Sequence, residues 1–243
     1  MSAGGRGRRA ESARDAARWG ACTTAIALLV VILSAGCSNW RGFGFSASGP
    51  EMPRLKHVLA LKPGMSVADV GAGTGQVTLA LAVEVGPTGR VFSTELDPNA
   101  LEQIRAAVSA ARLTNVTLVQ AQAGETSLPT ECCDAVLLRR VYHHLSDPAA
   151  TNASLLRALR PGGLLAVIDF PPTLARLWRW PPKGVPQNRG GHGIAAQLVV
   201  EEVTASGFEF VQVIDDWPGR SLLANYCAVF RKSPDGHGRR GAR

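Results

Sequence analysis

Residues 67–75 read VADVGAGTG. An acid, Asp69, stands near the end of a short apolar run, and Gly71, Gly73 and Gly75 follow at every second position. Glycines so placed permit a tight turn and let a ligand come up against bare backbone. A dinucleotide is the obvious occupant, but its fingerprint is GxGxxG. Here Gln76, Val77 and Thr78 follow Gly75, so the third glycine is misplaced, and an acid inside the strand suits a pyrophosphate poorly. Further along are groups able to move protons. Asp169 closes the apolar run LLAVIDF, His192 lies in the glycine-rich NRGGHGI, and His143 and His144 are adjacent. Asp169 with His192 is the candidate catalytic pair; the histidine pair reads chiefly as packing or capping. No two of these groups show metal-ligand spacing, and no metal is assigned.

The elements that would position them alternate along the chain. Strands are expected at 66–70, 90–94, 116–120, 134–138, 164–170, 208–214 and 225–231. Helices are expected at 76–85, stopped by Gly86-Pro87; at 98–111, with Pro98 in the first turn; from Asp147-Pro148 to Leu159; and at 195–206. Such alternation predicts an α/β fold: a doubly wound, Rossmann-like, mostly parallel seven-stranded sheet with the last strand antiparallel. In such sheets ligands bind beyond the carboxyl ends of the strands, where strand order reverses. The first expected strand ends there, at Asp69-Val70.

With these blocks in view, the chain resembles the class I S-adenosylmethionine-dependent methyltransferases over about residues 53–231. Their first motif is hydrophobic, acid, hydrophobic and then GxGxG, which VADVGAGTG matches. VFSTELDP, LLRRVYHHLSDP and LLRALRPGGLLAVIDF resemble the blocks of the second, fourth and fifth strands. The resemblance implies S-adenosyl-L-methionine as cofactor. It implies that the loop Gly71, Ala72, Gly73, Thr74 and Gly75 approaches the cofactor, with Asp69 placing its methionine end through that loop; on the residues alone Asp69 reads as a carboxylate holding the loop amides, and one carboxylate can do both. It places Glu95, followed by Leu96, at the ribose hydroxyls; a carboxylate accepts two hydrogen bonds from a diol. Where the family often has an adenine-binding Asp after the third strand, this chain has Gln122, expected to frame the adenine with Ala123. Arg139, or its neighbour Arg140, is the candidate for the cofactor carboxylate. Methyl transfer is an in-line displacement that positioning alone can drive far, so a base is not obligatory.

Charge divides the 243-residue chain. The net +7 belongs to the ends, whereas residues 51–230 hold 15 basic and 16 acidic side chains. A nucleic-acid partner, which would want the excess on the folded domain, is not expected. Five arginines precede an apolar centre at 21–33 that is short for a membrane span, and LSAGC follows, ending at Cys37. This resembles a bacterial lipoprotein signal, although Ser34 stands where the lipobox usually has Leu. Another signal or anchor, or a misassigned start codon that would leave a cytoplasmic protein, are the alternatives. The expected division is a signal or anchor over 1–37, a linker over 38–52, the methyltransferase domain over 53–232 and a basic tail over 233–243. Cys132 and Cys133 are neighbours, which rarely pair with each other, and no CxxC occurs. The Trp- and Arg-rich stretch 171–193 reads as a lid over a hydrophobic substrate, a membrane-interface anchor or plain packing.

The leading expectation is a methyltransferase acting on a small or lipid-like molecule, with membrane attachment through the N-terminus. The alternative is an exported or tethered binding protein that keeps this fold without turnover. A dinucleotide oxidoreductase is a third, disfavoured by the glycine spacing.

Overall fold

The computed structural model describes residues 49–172, 193–219 and 225–235. The chain divides into two units, Met1–Gly44 and Phe45–Arg243. The first unit, and with it the signal, lipoprotein and anchor expectations, lies outside the described residues. So do most of 171–193 and most of the basic tail. No helix among the described residues is long and apolar enough to cross a membrane.

The second unit is built on one seven-stranded sheet. Its strands are β1 (Ser66–Val70), β2 (Arg90–Glu95), β3 (Val116–Gln120), β4 (Cys133–Arg139), β5 (Leu159–Asp169), β6 (Glu209–Trp217) and β7 (Asn225–Arg231). The spatial order is β3-β2-β1-β4-β5-β7-β6. β1 through β5 run parallel, and β7 runs antiparallel to both β5 and β6. The doubly wound sheet expected from the sequence is the one observed. The helices are α1 (Glu51–Val58), α2 (Gln76–Val85), α3 (Pro98–Ala110), α4 (Pro148–Ala158) and α5 (Ala196–Ala205). Asp97 and Asp147 cap α3 and α4 through their side chains, each with proline at the first helical position.

Strand periodicity sorts the core. Val67, Val91, Ala135, Leu137, Ala166 and Ile168 point to one face, against α1 and α2. Ala68, Val70, Phe92, Val136, Leu138 and Val167 point to the other, against α4, α5 and Tyr142. Central strands covered on both sides read as unbroken apolar runs, which is why they were legible. β5 begins earlier than expected. The Pro161-Gly162-Gly163 turn pairs with Lys232 through two backbone hydrogen bonds of 2.9 Å, so the strand extends back to Leu159.

One element was not expected. Residues 51 and 52, assigned to a linker, open α1, and both are buried. Glu51 explains the fold of this segment. Its carboxylate takes two hydrogen bonds of 2.9 Å from Arg139 at the end of β4 and one of 3.0 Å from the indole N–H of Trp217 on β6. The Arg139 and Glu51 side chains are 16% and 8% exposed, so the pair is largely withdrawn from water. Breaking one side of such a pair leaves a buried uncompensated charge. Glu51→Ala should therefore lower unfolding free energy by about 3–5 kcal/mol in urea titration, whereas Glu51→Leu with Arg139→Met should recover most of that loss.

Candidate active site

β1 ends at Val70, and the chain turns through the glycine loop into α2. The N–H groups of Gly71 and Ala72 both donate to the Thr94 carbonyl, at 2.9 and 3.0 Å, clamping the loop to the end of β2. Gly71 has φ +71°, and a Cβ there would lie 2.5 Å from a methyl of Val141. The loop thus packs directly on the segment after β4. Glu95 closes the arrangement: one carboxylate oxygen accepts from Gly73 N–H at 2.8 Å and the other from Leu96 N–H at 2.7 Å.

The loop amides were expected on Asp69 and are found elsewhere. Asp69 stands in register with Ser93, so both side chains project to the face covered by α2. There the Thr78 hydroxyl donates to Asp69 at 2.7 Å and lies 2.8 Å from Ser93 Oγ. Asp69 is 2% exposed. Burial pushes its carboxyl up to about 6, against the opposing pull of the Thr78 hydrogen bond and the Arg139 charge. Thr78 escaped the sequence reading because it looks like any third residue of a helix; only the strand register brings it to Asp69.

A crevice of about 350 Å³ opens beyond the carboxyl ends of β1, β2 and β4. Of the residues named for the cofactor, Gly71, Glu95, Leu96, Gln122 and Ala123 line it and Asp69, Ala72, Gly73, Thr74, Gly75 and Arg139 do not; Thr94, Arg140, Val141, His144 and Leu145 complete much of the wall. Thr94 Oγ1 is buried and has no hydrogen-bond partner among the described residues, so it is left to a ligand. A larger hollow of about 650 Å³ lies at the other end of the strands, around Arg90, Cys132 and Arg160. Strand polarity and the β1/β4 switch point assign the ligand to the smaller one.

Two expectations are corrected. Arg139 shares a face with Ala135 and Leu137 and is turned toward Glu51, so its guanidinium is taken up below the crevice rather than offered to a cofactor carboxylate. Arg140 lines the crevice instead. It has φ +58°, and its N–H donates to the Ile168 carbonyl at 2.7 Å. The second correction concerns Asp169, which is wholly buried. Its carboxylate accepts from His143 Nδ1 at 2.8 Å, His143 N–H at 3.1 Å and Phe170 N–H at 3.0 Å. Asp169 therefore positions His143. A carboxylate at Nδ1 fixes the tautomer and the ring plane. The His143 and His144 rings lie 3.9 Å apart, and it is His144 that reaches the crevice. His192, the expected partner of Asp169, lies outside the described residues.

Residues 68–167 match the protein family described as a methyltransferase domain. A ubiquinone/menaquinone biosynthesis C-methyltransferase of Ectopseudomonas mendocina is 30% identical over 153 residues, covering 60% of this chain and 56% of that protein. A demethylmenaquinone methyltransferase of Listeria monocytogenes is 32% identical over 112 residues, 46% of this chain and 47% of that one. The chain spans about half the length of the curated relatives it matches. Among solved structures, a SAM-dependent methyltransferase from Aquifex aeolicus superposes with a TM-score of 0.57 at 21% identity, over 77% of this chain and 99% of that one. The [4+2]-cyclase SpnF superposes at 0.60 and 20% identity, over 74% and 79%. These structural likenesses show the fold.

The Asp69 carboxyl gives a pH test. Its folded value lies above the unfolded value of 3.8, so as pH rises the unfolded chain releases this proton first. Stability should fall by up to about 3 kcal/mol between about pH 4 and about pH 6 and level off above. Asp69→Asn should remove that component, making the variant more stable than wild type near neutrality in denaturant titrations, yet weaker toward its ligand. The match to the methyltransferase-domain family runs from β1 into β5, the strands whose ends build the crevice.

Proposed function

We propose that this protein transfers a methyl group from S-adenosylmethionine to a small, lipid-like acceptor, with hydroquinone rings the first class to test. The observation that carries the reading is the pairing of Glu95 with the partnerless Thr94 hydroxyl on a crevice of about 350 Å³, a volume in the range of small-molecule sites. Glu95 faces the ribose hydroxyls, Gln122 and the Ala123 backbone face the adenine, and Arg140 takes the cofactor carboxylate. Asp69 and Glu95 place negative charge near a cationic ligand. The cofactor, when bound, supplies an electrophilic methyl on a positively charged sulfur. Everything else falls to the chain. Glu95 already accepts from Gly73 on one oxygen and from Leu96 on the other, and each oxygen has a second lone pair with which to accept a ribose hydroxyl.

On the acceptor side, His144 with the Asp169-held His143 supports withdrawal of a proton from a ring hydroxyl, which would enrich a neighbouring carbon for attack on the methyl. The names of the curated relatives, quinone C-methyltransferases, support a lipid quinol. The arginines before an apolar stretch ending at Cys37 support attachment to a membrane, where such acceptors reside.

S-adenosylhomocysteine at about 100 times its dissociation constant should stabilise the protein by about 2.7 kcal/mol. NAD should give no shift, and Glu95→Ala should abolish the response while keeping the fold by circular dichroism. Labelled methyl groups should then enter the lipid phase of a quinol-containing extract. Cofactor binding without label in any acceptor would favour the tethered binding protein instead.

A further inference from the structure

The hollow at the opposite end of the sheet is not accounted for by methyl transfer. About 650 Å³ in volume, it is lined by Arg90, Asn115, Thr117, Cys132 and Arg160 among others. Cys132 is half-buried in its wall; Cys133, fully buried, opens β4. Their sulfurs are 2.8 Å apart. The turn ahead of them forces this approach. Glu131 adopts φ +50°, and its N–H donates to the Arg157 carbonyl at 2.9 Å. Arg160 then brackets the pair: its Nε donates to the Glu131 carbonyl at 3.1 Å, and its Nη1 to the Asp134 carboxylate. One guanidinium thus holds the residues before and after the two cysteines.

Neighbouring cysteines rarely make a permanent bridge. Consecutive Cα atoms are about 3.8 Å apart, below the roughly 4.4 Å lower limit of ordinary disulfides. Strained bridges are easily reduced, and labile or regulatory disulfides are of this kind. A touching pair beside a cationic hollow therefore suits reversible exchange better than stapling. We propose that Cys132 and Cys133 are a redox-active vicinal dithiol that exchanges with a low-molecular-weight anionic disulfide bound in this hollow.

The chemistry balances. The Cys132 thiolate attacks one sulfur of the incoming disulfide, giving a mixed disulfide and one small thiolate. The Cys133 sulfur, on losing its proton, attacks Cys132 Sγ and expels the second small thiolate. The two protein protons end on the two released thiols; the protein pair is oxidised and the small disulfide reduced. The Cys133 hydrogen bond holds the Cys132 thiol below its usual range, with the Arg160 charge adding to the effect. The same bond, together with burial, pushes the Cys133 thiol up. Once Cys132 is in the mixed disulfide there is no thiolate for Cys133 to serve, and that part of the penalty disappears. Arg90 supplies the positive field for carboxylates on the incoming molecule, Arg160 being already paired with Asp134.

The full chain, reduced and equilibrated at graded ratios of oxidised to reduced glutathione, can be alkylated and digested with trypsin. The fragment 113–139 carries both sulfurs and no other cysteine. It should pass directly from doubly alkylated to unalkylated and lighter by two hydrogens. Cys133→Ser should instead accumulate glutathione on Cys132. Arg90→Gln should slow the reaction with glutathione disulfide by about tenfold while leaving the rate with a neutral hydroxyethyl disulfide unchanged. A mixed disulfide that persists in the wild type, or double alkylation at every ratio, overturns the dithiol. Equal loss of rate with both probes overturns the anionic ligand.

Discussion

Beneath the glycine loop lies a carboxylate that the fold keeps out of water. Asp69 is the last residue but one of β1, an interior strand of the sheet, with β2 on one side, β4 on the other and helices over both faces. Within the strand geometry its side chain has only one direction to take, toward α2, where Thr78 and Ser93 form a short chain of hydroxyls. Two neutral hydroxyls are thin compensation for a buried charge. The raised carboxyl measures the shortfall. Arg139 supplies positive field from the next strand, but Glu51 has already claimed most of it. A row of charges, Glu51, Arg139 and Asp69, therefore runs beneath the glycine loop with one negative charge in excess. A cationic ligand above that loop completes the balance.

The loop is held in readiness by its own amides. Thr94 takes the first two N–H groups through its carbonyl, and Glu95 takes the N–H of Gly73. A carboxylate oxygen that holds one such bond can accept another without giving it up. The ordering cost of the loop is thus met in folding, which leaves more of the contact energy for binding.

The fold was legible because central parallel strands leave an unmistakable mark: apolar runs bounded by glycine, proline and capping aspartates. The crevice-lining residues Glu95 and Gln122 were legible for the same reason, since each lies at or just beyond a strand end. What escaped the sequence depends on pairing between distant elements. Arg139 and Arg140 are one residue apart, yet one meets Glu51 under the sheet and the other meets the crevice; alternation at a strand end decides this, and its phase there is hard to read from sequence. Asp169 looked like a candidate catalytic acid because it ends β5. Its commitment to His143 depends on a one-turn helix at Tyr142–His144 that has no periodic signature of its own. Glu51 was hidden by its setting, just beyond a Gly- and Ser-rich stretch.

That setting has a bearing on what counts as the domain. The family match draws its limits at residues 68 and 167. Charge compensation draws them more widely, from Glu51 on α1 to Trp217 on β6, because the floor of the site is neutralised by a helix before the motif and steadied by a strand after it. A graft of the matched segment alone onto another scaffold would carry the glycine loop and every expected cofactor contact. It would also carry a buried arginine with its counter-ion left behind.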